Sequence, residues 1–496
     1  MDLSLFFSGF GNIFSFHYIS YMFLGVSFGM ILGFLPGLSG PVGLALLIPF
    51  TFKMKALDML VLMLSIYTGA IYGGAITAIT INTPGAPSNI ATVMDGYPMS
   101  KKGFTEKALG ISLGSSAIGG IFGCTILLLL AEPIANIALK FGYSEMFMVG
   151  IFGISVVGSL ADDFWKALYA GAFGILLGTV GTSQSGVIRG TMGITNLLDG
   201  FPMIPVLVGL IALPELIEMV TGKAGNIVIS KTGNNLMKIL RGMFEPVRRF
   251  GLTIINAIIG TIVGILPAAG AQIAGMLSYN LTKQFSKKSE SFGTGIEEGI
   301  IAPETANNAS EGGALATMFV LGIPGSTATA LILAALELKG WLPGPRLFLE
   351  NKEVIYTAFS SLFMQQFVML IVGMFMCVLC AKIVKVPKSF LVPSVVVFAT
   401  LGAFSTKYVL FDCILLIIFG VIGWFMKKYD FPVLPAILGY ILGGILDNEL
   451  THVMAALDSF WYIFKSPIVV TLFVICILCF ALPHIMNRRR AKKKMQ

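Results

Sequence analysis

The chain has 496 residues, 56% hydrophobic and 12% charged, with a mean hydropathy of +0.88. No soluble domain of this length tolerates such a surface, so soluble enzymes and soluble binding modules are excluded and a polytopic membrane protein is expected. The formal net charge of +8 does not indicate nucleic acid: the basic residues gather in short loops and in a tail that includes Arg488, Arg489, Arg490, Lys492, Lys493 and Lys494, the distribution produced when cationic loops are retained in the cytoplasm.

No Lys or Arg precedes Lys53, so a cleavable leader with a basic start is not expected. The first long apolar run, residues 18 to 34, leads into Gly33-Phe-Leu-Pro-Gly-Leu-Ser-Gly40 and a second run from Leu44 to Phe52. The Pro36-Gly37 break makes this a hairpin rather than one long span. From Leu57 to Ile81 the chain is apolar again, then stops at Asn82-Thr83-Pro84-Gly85-Ala86-Pro87-Ser88-Asn89. Two prolines so close together cannot continue a helix, which leaves free backbone and polar side chains aimed at something polar. Further spans are expected near 108–130, 145–160, 165–182 and 201–220, followed by a polar, basic segment from Lys223 to Arg249. The GxxxG pairs Gly110/Gly114 and Gly174/Gly178 predict close helix packing.

The opening pattern then returns. Gly33-x-Leu35-Pro36 recurs as Gly264-x-Leu266-Pro267, 231 residues later; Gly73-Gly74-Ala75 recurs as Gly312-Gly313-Ala314 and Pro84-Gly85 as Pro324-Gly325. Phe201-Pro-x-Ile-Pro-x-Leu-x-Gly209 recurs as Phe431-Pro-x-Leu-Pro-x-Ile-x-Gly439. Landmarks repeated in one order mark two halves of one design. With the basic tail inside, the loops at Lys427-Lys428, Lys382 to Lys388, Arg248-Arg249 and Lys101-Lys102 also fall inside, provided the halves enter from opposite sides; Lys53 and Lys55 then lie outside. The expectation is an all-α integral membrane fold of two inverted-topology repeats with re-entrant hairpins and broken helices, about 10–12 transmembrane segments in all. The boundaries read as 1–222 for the first repeat, 223–249 for a basic cytoplasmic linker, 250–450 for the second repeat, and 451–496 for an extra C-terminal helix and basic tail.

The densest polar stretch at presumed membrane depth is Ala302 to Thr327, which sets Glu304, Thr305, Asn307, Asn308, Ser310 and Glu311 ahead of an apolar run broken at Pro324-Gly325. Paired interrupted segments near the midplane are where secondary transporters bind their cargo. The expected substrate-binding residues are Asn82, Thr83, Pro84, Gly85 and Ser88 in one half and Pro324, Gly325, Ser326 and Thr327 in the other. No intramembrane Arg or Lys offers a counter-charge, so the helix starts behind the breaks would hold an anion with free N–H groups and about half a positive charge. Ser39, Asn307 and Asn308 are the expected oxygen donors to a bound sodium, the only cofactor-like species implied. For the asparagines, bridging between helices is the alternative. Glu304 and Glu311 are placed at the cytoplasmic entrance, off the ligand, and Asp162, Asp163, Asp199, Glu215 and Glu218 at the interfaces, although a proton-driven mechanism would require a buried carboxylate.

Six cysteines and three histidines give no catalytic or metal pattern: the CxxC pairs Cys377/Cys380 and Cys476/Cys479 lie in apolar runs and read as small helix residues. An enzyme built on Glu304 would lack a nucleophile, and a channel would not call for duplicated broken helices.

The runs GFLPGLSGPVGLALLIPFTF (33–52) and YTGAIYGGAITAITINTPGAPSNIATVMDGYPMSKKG (67–103), with APETANNASEGG, LGIPGS and WLPGPRLF in the second half, resemble the large membrane subunit of tripartite tricarboxylate transporters, the TctA family, over roughly residues 18 to 450. The resemblance implies a permease of the bacterial inner membrane with a cytoplasmic C-terminus, uptake of tri- or dicarboxylates driven by an ion gradient such as sodium, a periplasmic solute-binding protein, and a small four-helix membrane partner. A homodimer and a carrier working without the binding protein stay open. The sequence departs from the family pattern at Pro267-Ala268-Ala269-Gly270, where Pro-Gly is usual, and at Tyr279-Asn280-Leu281-Thr282-Lys283, which lacks an acidic residue before the lysine.

Overall fold

A computed structural model describes residues 3–35, 39–51, 53–160, 163–183, 185–221, 235–267, 270–341, 344, 347, 350–383, 388–456 and 459–478. The Pro36-Gly37 break, the 222–234 part of the basic segment, Ala268-Ala269, Asp162, the Cys380 side chain, Cys479 and the Arg/Lys tail lie outside the described residues, as does part of the run 341–348.

The described chain is helical apart from one short antiparallel pair, Gly181–Thr182 with Ile188–Arg189. The helices are α1 (Leu3–Ile13), α2 (Phe16–Phe34), α3 (Gly40–Thr51), α4 (Ala56–Ile81), α5 (Ile90–Met99), α6 (Thr105–Ala138), α7 (Tyr143–Leu160), α8 (Phe164–Gly178), α9 (Met203–Thr221), α10 (Leu236–Met243), α11 (Glu245–Arg248), α12 (Phe250–Ile265), α13 (Gly270–Phe285), α14 (Glu298–Leu321), α15 (Thr327–Leu338), α16 (Lys352–Ile383), α17 (Lys388–Lys407), α18 (Leu410–Lys428) and α19 (Val433–Ala456). Among the described residues seven helical stretches are long and apolar enough to cross a membrane, with α10–α11 and α12 forming an additional pair bent by 79°. Helices α1, α3, α8 and α15 are apolar too but only 10–17 residues long, too short to span alone.

Clustering of contacts divides the chain into two compact units: Met1–Ala135 with Glu215–Ser405, and Asn136–Pro214 with Thr406–Gln496. Each takes one piece from each half of the sequence.

In the first unit α2 lies along α4, and α12 along α14, at the closest approach helices allow. A Cβ at Gly29 would overlap the Ile66 carbonyl, and one at Gly33 the Ala70 carbonyl; Gly260 and Gly264 stand in the same way over Ala306 and Ser310. From α4 and α14 the contact is returned by Gly73 over Met30 and Gly313 over Thr261. Small residues replace the missing hydrophobic drive between helices with tight backbone packing. The contact register also corrects the repeat: Gly73-Gly74 corresponds to Gly313-Ala314, not to Gly312-Gly313. Gly312 points elsewhere, over the Gly123 carbonyl of α6. The GxxxG pair Gly110/Gly114 is likewise a packing device, set against Ile239 and Met243 of α10.

In the second unit Gly174 and Gly178 of α8 pack on Ala436 and Tyr440 of α19, while Gly439 of α19 meets the Gly171 carbonyl. Gly209, the matching glycine of the first-half motif, packs on α18 at Leu416. Tyr440 Oη donates to the Phe201 carbonyl at 2.6 Å, and Arg189 clamps Asp447 through both terminal nitrogens.

Valine at Gly260 should push α12 off α14 and destabilise the protein by about 1–3 kcal/mol or more, read as a lower melting temperature or lost monodisperse yield in detergent. Alanine at Gly251, where nothing lies within 4 Å of an added Cβ, should change neither.

Candidate functional site

Helix α4 ends where Asn82 adopts a left-handed conformation (φ 59°) and Pro84 withholds a donor. The chain folds back on its own helix: Gly85 N donates to the Gly74 carbonyl at 3.2 Å, and a Cβ at Gly85 would overlap the Gly33 carbonyl. It re-enters through a turn of 3-10 helix, Pro87–Asn89, into α5. Helix α14 ends in the same manner at Gly322 (φ 72°), and Gly325 sits with its would-be Cβ 2.7 Å from Ala314 Cα and 3.0 Å from the Gly264 carbonyl. Both Pro-Gly turns are thus glycine-dependent for one reason, close approach to the hairpin of their own half.

The second turn starts α15 with a capping box: Ser326 Oγ accepts from Thr329 N at 3.2 Å, and Ser326 N donates to Thr329 Oγ1 at 2.9 Å. The amides of Thr327 and Ala328, the first two of the helix, have no intrahelical acceptor. The two turns meet on α4. Asn89 Nδ2 donates to the Ile71 carbonyl at 3.4 Å, and Tyr67 Oη lies 3.2 Å from Ser326 Oγ. These contact points are four residues apart, about 6 Å along the helix. The packing is reciprocal as well: α15 lies on α3 and α4 of the first half, while Pro87–Asn89 and α5 lie on α13 and α14 of the second.

Between them runs α14, whose residues from Gly299 to Val320 are all buried. The expectation that Glu304 and Glu311 sit at a solvent entrance is overturned: they are 0% and 1% exposed. Glu304 is surrounded by neutral donors, Asn89 Nδ2 (3.3 Å) and Thr92 Oγ1 on one oxygen, Ser112 Oγ (3.2 Å) and Ser116 Oγ (3.0 Å) on the other. It therefore ties the first turn and α5 to α6. Glu311 accepts from Thr68 Oγ1 alone, at 2.7 Å, and its second oxygen has no partner among the described residues. Both side-chain atoms of Asn307 and of Gln366 are buried without partners, as is Asn308 Oδ1.

The residues singled out from sequence therefore divide. Gly85, Pro324 and Gly325 are buried in the turns, Ser326 and Thr327 are half-buried at the start of α15, and Pro84 and Ser88 are half-buried. Asn82 and Thr83 are exposed, with Thr83 Oγ1 donating back to the Ile81 carbonyl at 3.3 Å. Of the three expected sodium donors, Asn307 and Asn308 lie in the buried polar cluster, whereas Ser39 directs both its amide (3.3 Å) and its hydroxyl (3.0 Å) at the Glu215 carboxylate. Tyr67, Thr68, Asn89, Thr92, Ser112, Ser116 and Gln366 were not singled out; scattered over four helices, they carried no local pattern.

At one end of α14 the loop 293–296 is held by Asp95 of α5, fully buried, whose carboxylate accepts from the amides of Gly293 (3.0 Å), Gly295 (2.7 Å) and Ile296 (2.9 Å) and from Tyr279 Oη (2.8 Å). Beside it Lys107 and Arg249 pair with Glu297, and Arg249 also with Glu298 at 2.7 Å. Partial burial raises the Glu297 carboxyl, but the two cations outweigh it and hold it below its ordinary 4.5.

These features define a helical, polytopic membrane protein with two interrupted helices meeting in its interior. The chain belongs to the TctA family of tripartite tricarboxylate transporters, whose family profile matches residues 19–438. The family is one of transporters, not of enzymes. The chain is 34% identical over 482 residues, 95% of its length and 94% of the relative's, to an uncharacterized 52.8 kDa protein in the TAR-I ttuC' 3' region of Agrobacterium vitis. It is 30% identical over 234 residues, 46% of its length and 97% of the relative's, to an uncharacterized protein in the TAR-II ttuC' 3' region of the same organism. No solved structure matches it.

Alanine at Glu304 would leave four buried donors without an acceptor and should cost about 3 kcal/mol or more, seen as a large fall in melting temperature, with glutamine milder. Because the Glu297 carboxyl is depressed, its contribution is complete above its ordinary value and is lost as pH falls through its folded value. Melting temperature should accordingly drop on acidification below about pH 4.5, and Glu297→Gln should blunt that drop.

Proposed function

We propose that this protein is the permease subunit of an ion-gradient-driven tripartite transporter that imports di- or tricarboxylates. In this reading it lies in the bacterial inner membrane with its C-terminus in the cytoplasm, receives cargo from a periplasmic solute-binding protein, works with a small four-helix membrane subunit, and uses sodium as coupling ion. The observation that carries the reading is that two helix interruptions, one from each half, both touch α4, through Asn89 at the Ile71 carbonyl and through Ser326 at Tyr67 Oη. Interrupted helices are tolerated in lipid only when buried in protein or lining a cavity, and a pair of them, one from each repeat, is the arrangement of secondary-carrier binding sites.

The reciprocal packing of each turn on the other half's helices supports a twofold relation between the repeats, and the placement of the cationic loops supports their inversion. Among the described residues no Lys or Arg is buried. The charge of the cargo is then met by backbone: the Thr327 and Ala328 amides at the start of α15 on one side, and the Gly85 turn with Ser88 on the other. Asn82 and Thr83, which are exposed, act at the mouth of the site.

Proline is tolerated as the first residue of a helix and deletes one N–H, and Ser326 already has the extended backbone (φ −152°, ψ 168°) that a following proline demands. In proteoliposomes, Thr327→Pro should therefore raise the substrate concentration for half-maximal counterflow by about tenfold, the worth of one charge-assisted hydrogen bond, while leaving the melting temperature unchanged. Unaltered counterflow would sink this placement. Gly325→Leu is a poorer probe, since the added side chain would strike Ala314 and the Gly264 carbonyl. Saturable exchange of labelled di- and tricarboxylates, with sodium and without it, and with the binding protein and without it, separates the tripartite symporter from a carrier that works alone.

A further inference from the structure

The two buried carboxylates of α14 are seven residues apart on one helix and are treated in opposite ways. Glu304 receives four neutral donors, two on each oxygen. Glu311 receives one. A carboxylate left so in an apolar interior is costly unless a proton or a metal cation accompanies it, and the groups around it distinguish the two.

The neighbours of Glu311 are acceptors facing acceptors. Thr68 Oγ1 lies 2.7 Å from Glu311 Oε1 and 3.5 Å from Gln365 Oε1, and a hydroxyl has a single proton for the two. Gln365 cannot turn its nitrogen inward, because Nε2 already donates to Ser361 Oγ (3.1 Å) and the Val61 carbonyl (3.4 Å). Asn308 is fixed in the same sense: its Nδ2 donates to the Glu304 carbonyl at 3.0 Å, leaving Oδ1 unpaired. Asn308 stands three residues before Glu311, on the same helical face. Asn307, four residues before it, and Gln366, beside Gln365, are wholly buried with every amide atom unpaired. The amide of Gln366 lies over Gly120 of α6, where α14 crosses that helix at Gly123 and Ala309. Among the described residues Thr68 is the one donor in contact with this carboxylate, the unpaired amides of Asn307 and Gln366 make no bond to it, and the oxygens of Gln365 and Asn308 are turned out as acceptors, an arrangement that describes a cation site.

We infer that Glu311, Thr68, Asn308 and Gln365 bind a monovalent metal cation between α4, α14 and α16, and that this is the coupling-ion site. The ligands are hard oxygens, which suit an alkali or alkaline-earth ion. One carboxylate balances a single positive charge, and the next, Glu304, is already occupied by its donors, so sodium fits and calcium does not. Ser39 is not part of this set, being bound to Glu215. The other titratable groups within electrostatic range of Glu311 are Tyr67 of α4 and Cys124 of α6, and neither is a cation. Tyr67, next to the ligand Thr68 on α4, touches Ser326 in the second turn, which would couple the ion to the proposed substrate site. The coupling role rests on the reading of the chain as an ion-driven carrier; the binding site does not.

The test is binding to the purified full-length protein in detergent, followed as melting temperature against sodium chloride with choline chloride at equal ionic strength, and with no substrate or partner present. The wild type should be stabilised by sodium in a saturable way. Glu311→Gln, which keeps the shape, should lose that response, and Thr68→Val should raise the half-saturating sodium concentration by about tenfold. Gly251→Ala should behave as wild type. A saturable sodium response surviving intact in both Glu311→Gln and Thr68→Val would overturn the site while leaving sodium coupling standing. A wild type indifferent to sodium would overturn the site outright, as would stabilisation by calcium in preference to sodium. Should Glu311→Gln fail to fold, Thr68→Val decides alone: an unshifted half-saturation refutes the site. Sodium binding as described, together with uptake indifferent to sodium, would retain the site and remove its coupling role.

Discussion

Everything in the first unit depends on one constraint: backbone that leaves a helix inside an apolar protein must be covered by other backbone at very short range. The Pro84-Gly85 and Pro324-Gly325 turns meet it identically, each laid against the hairpin of its own half at Gly33 or Gly264 and against its own helix at Gly74 or Ala314. Any side chain at Gly85 would meet the Gly33 carbonyl, and the ladders Gly29–Ile66 and Gly260–Ala306 hold the hairpin arms at the depth where those carbonyls are needed. Glycine is thus concentrated where two backbones share the space of one side chain. The polar amides at the start of α15 survive in the interior as a by-product of that packing, and an anion can use them.

The second organising element is α14. A wholly buried helix carrying two glutamates and two asparagines is unstable in isolation, and its partners are arranged accordingly. Glu304 gathers Asn89, Thr92, Ser112 and Ser116 and so holds the first turn in register with α6. Asp95 does the same for the loop that begins α14 by accepting three of its amides. Both carboxylates are satisfied and structural. Glu311, two helical turns beyond Glu304, has one oxygen without a partner among the described residues, and the amides of Asn307, Asn308 and Gln366 have unpaired atoms as well. One helix therefore carries a fully hydrogen-bonded carboxylate toward one end and a half-satisfied one nearer the other.

Much of this was legible in the residues. Mean hydropathy fixed the class; Pro-Gly pairs marked both interruptions; recurrence of Gly-x-Leu-Pro and of Phe-Pro-x-x-Pro revealed the duplication. Motif matching went astray where it relied on letters alone, pairing Gly73 with Gly312 when the helix contacts pair it with Gly313. No local pattern reveals that Ser39 meets Glu215, 176 residues away.

By itself the sequence determined a duplicated helical membrane protein whose helices break at Pro84-Gly85 and Pro324-Gly325, since hydrophobic length, proline geometry and repetition are properties of contiguous residues. Only the tertiary structure decided that both breaks lie against one helix, that Glu304 and Glu311 are buried, and that one is solvated by hydroxyls while the other is not. Those outcomes rest on which side chains from α4, α5, α6 and α16 arrive at the same point, and their separations along the chain, up to 297 residues for Thr68 and Gln365, leave no trace in any local pattern.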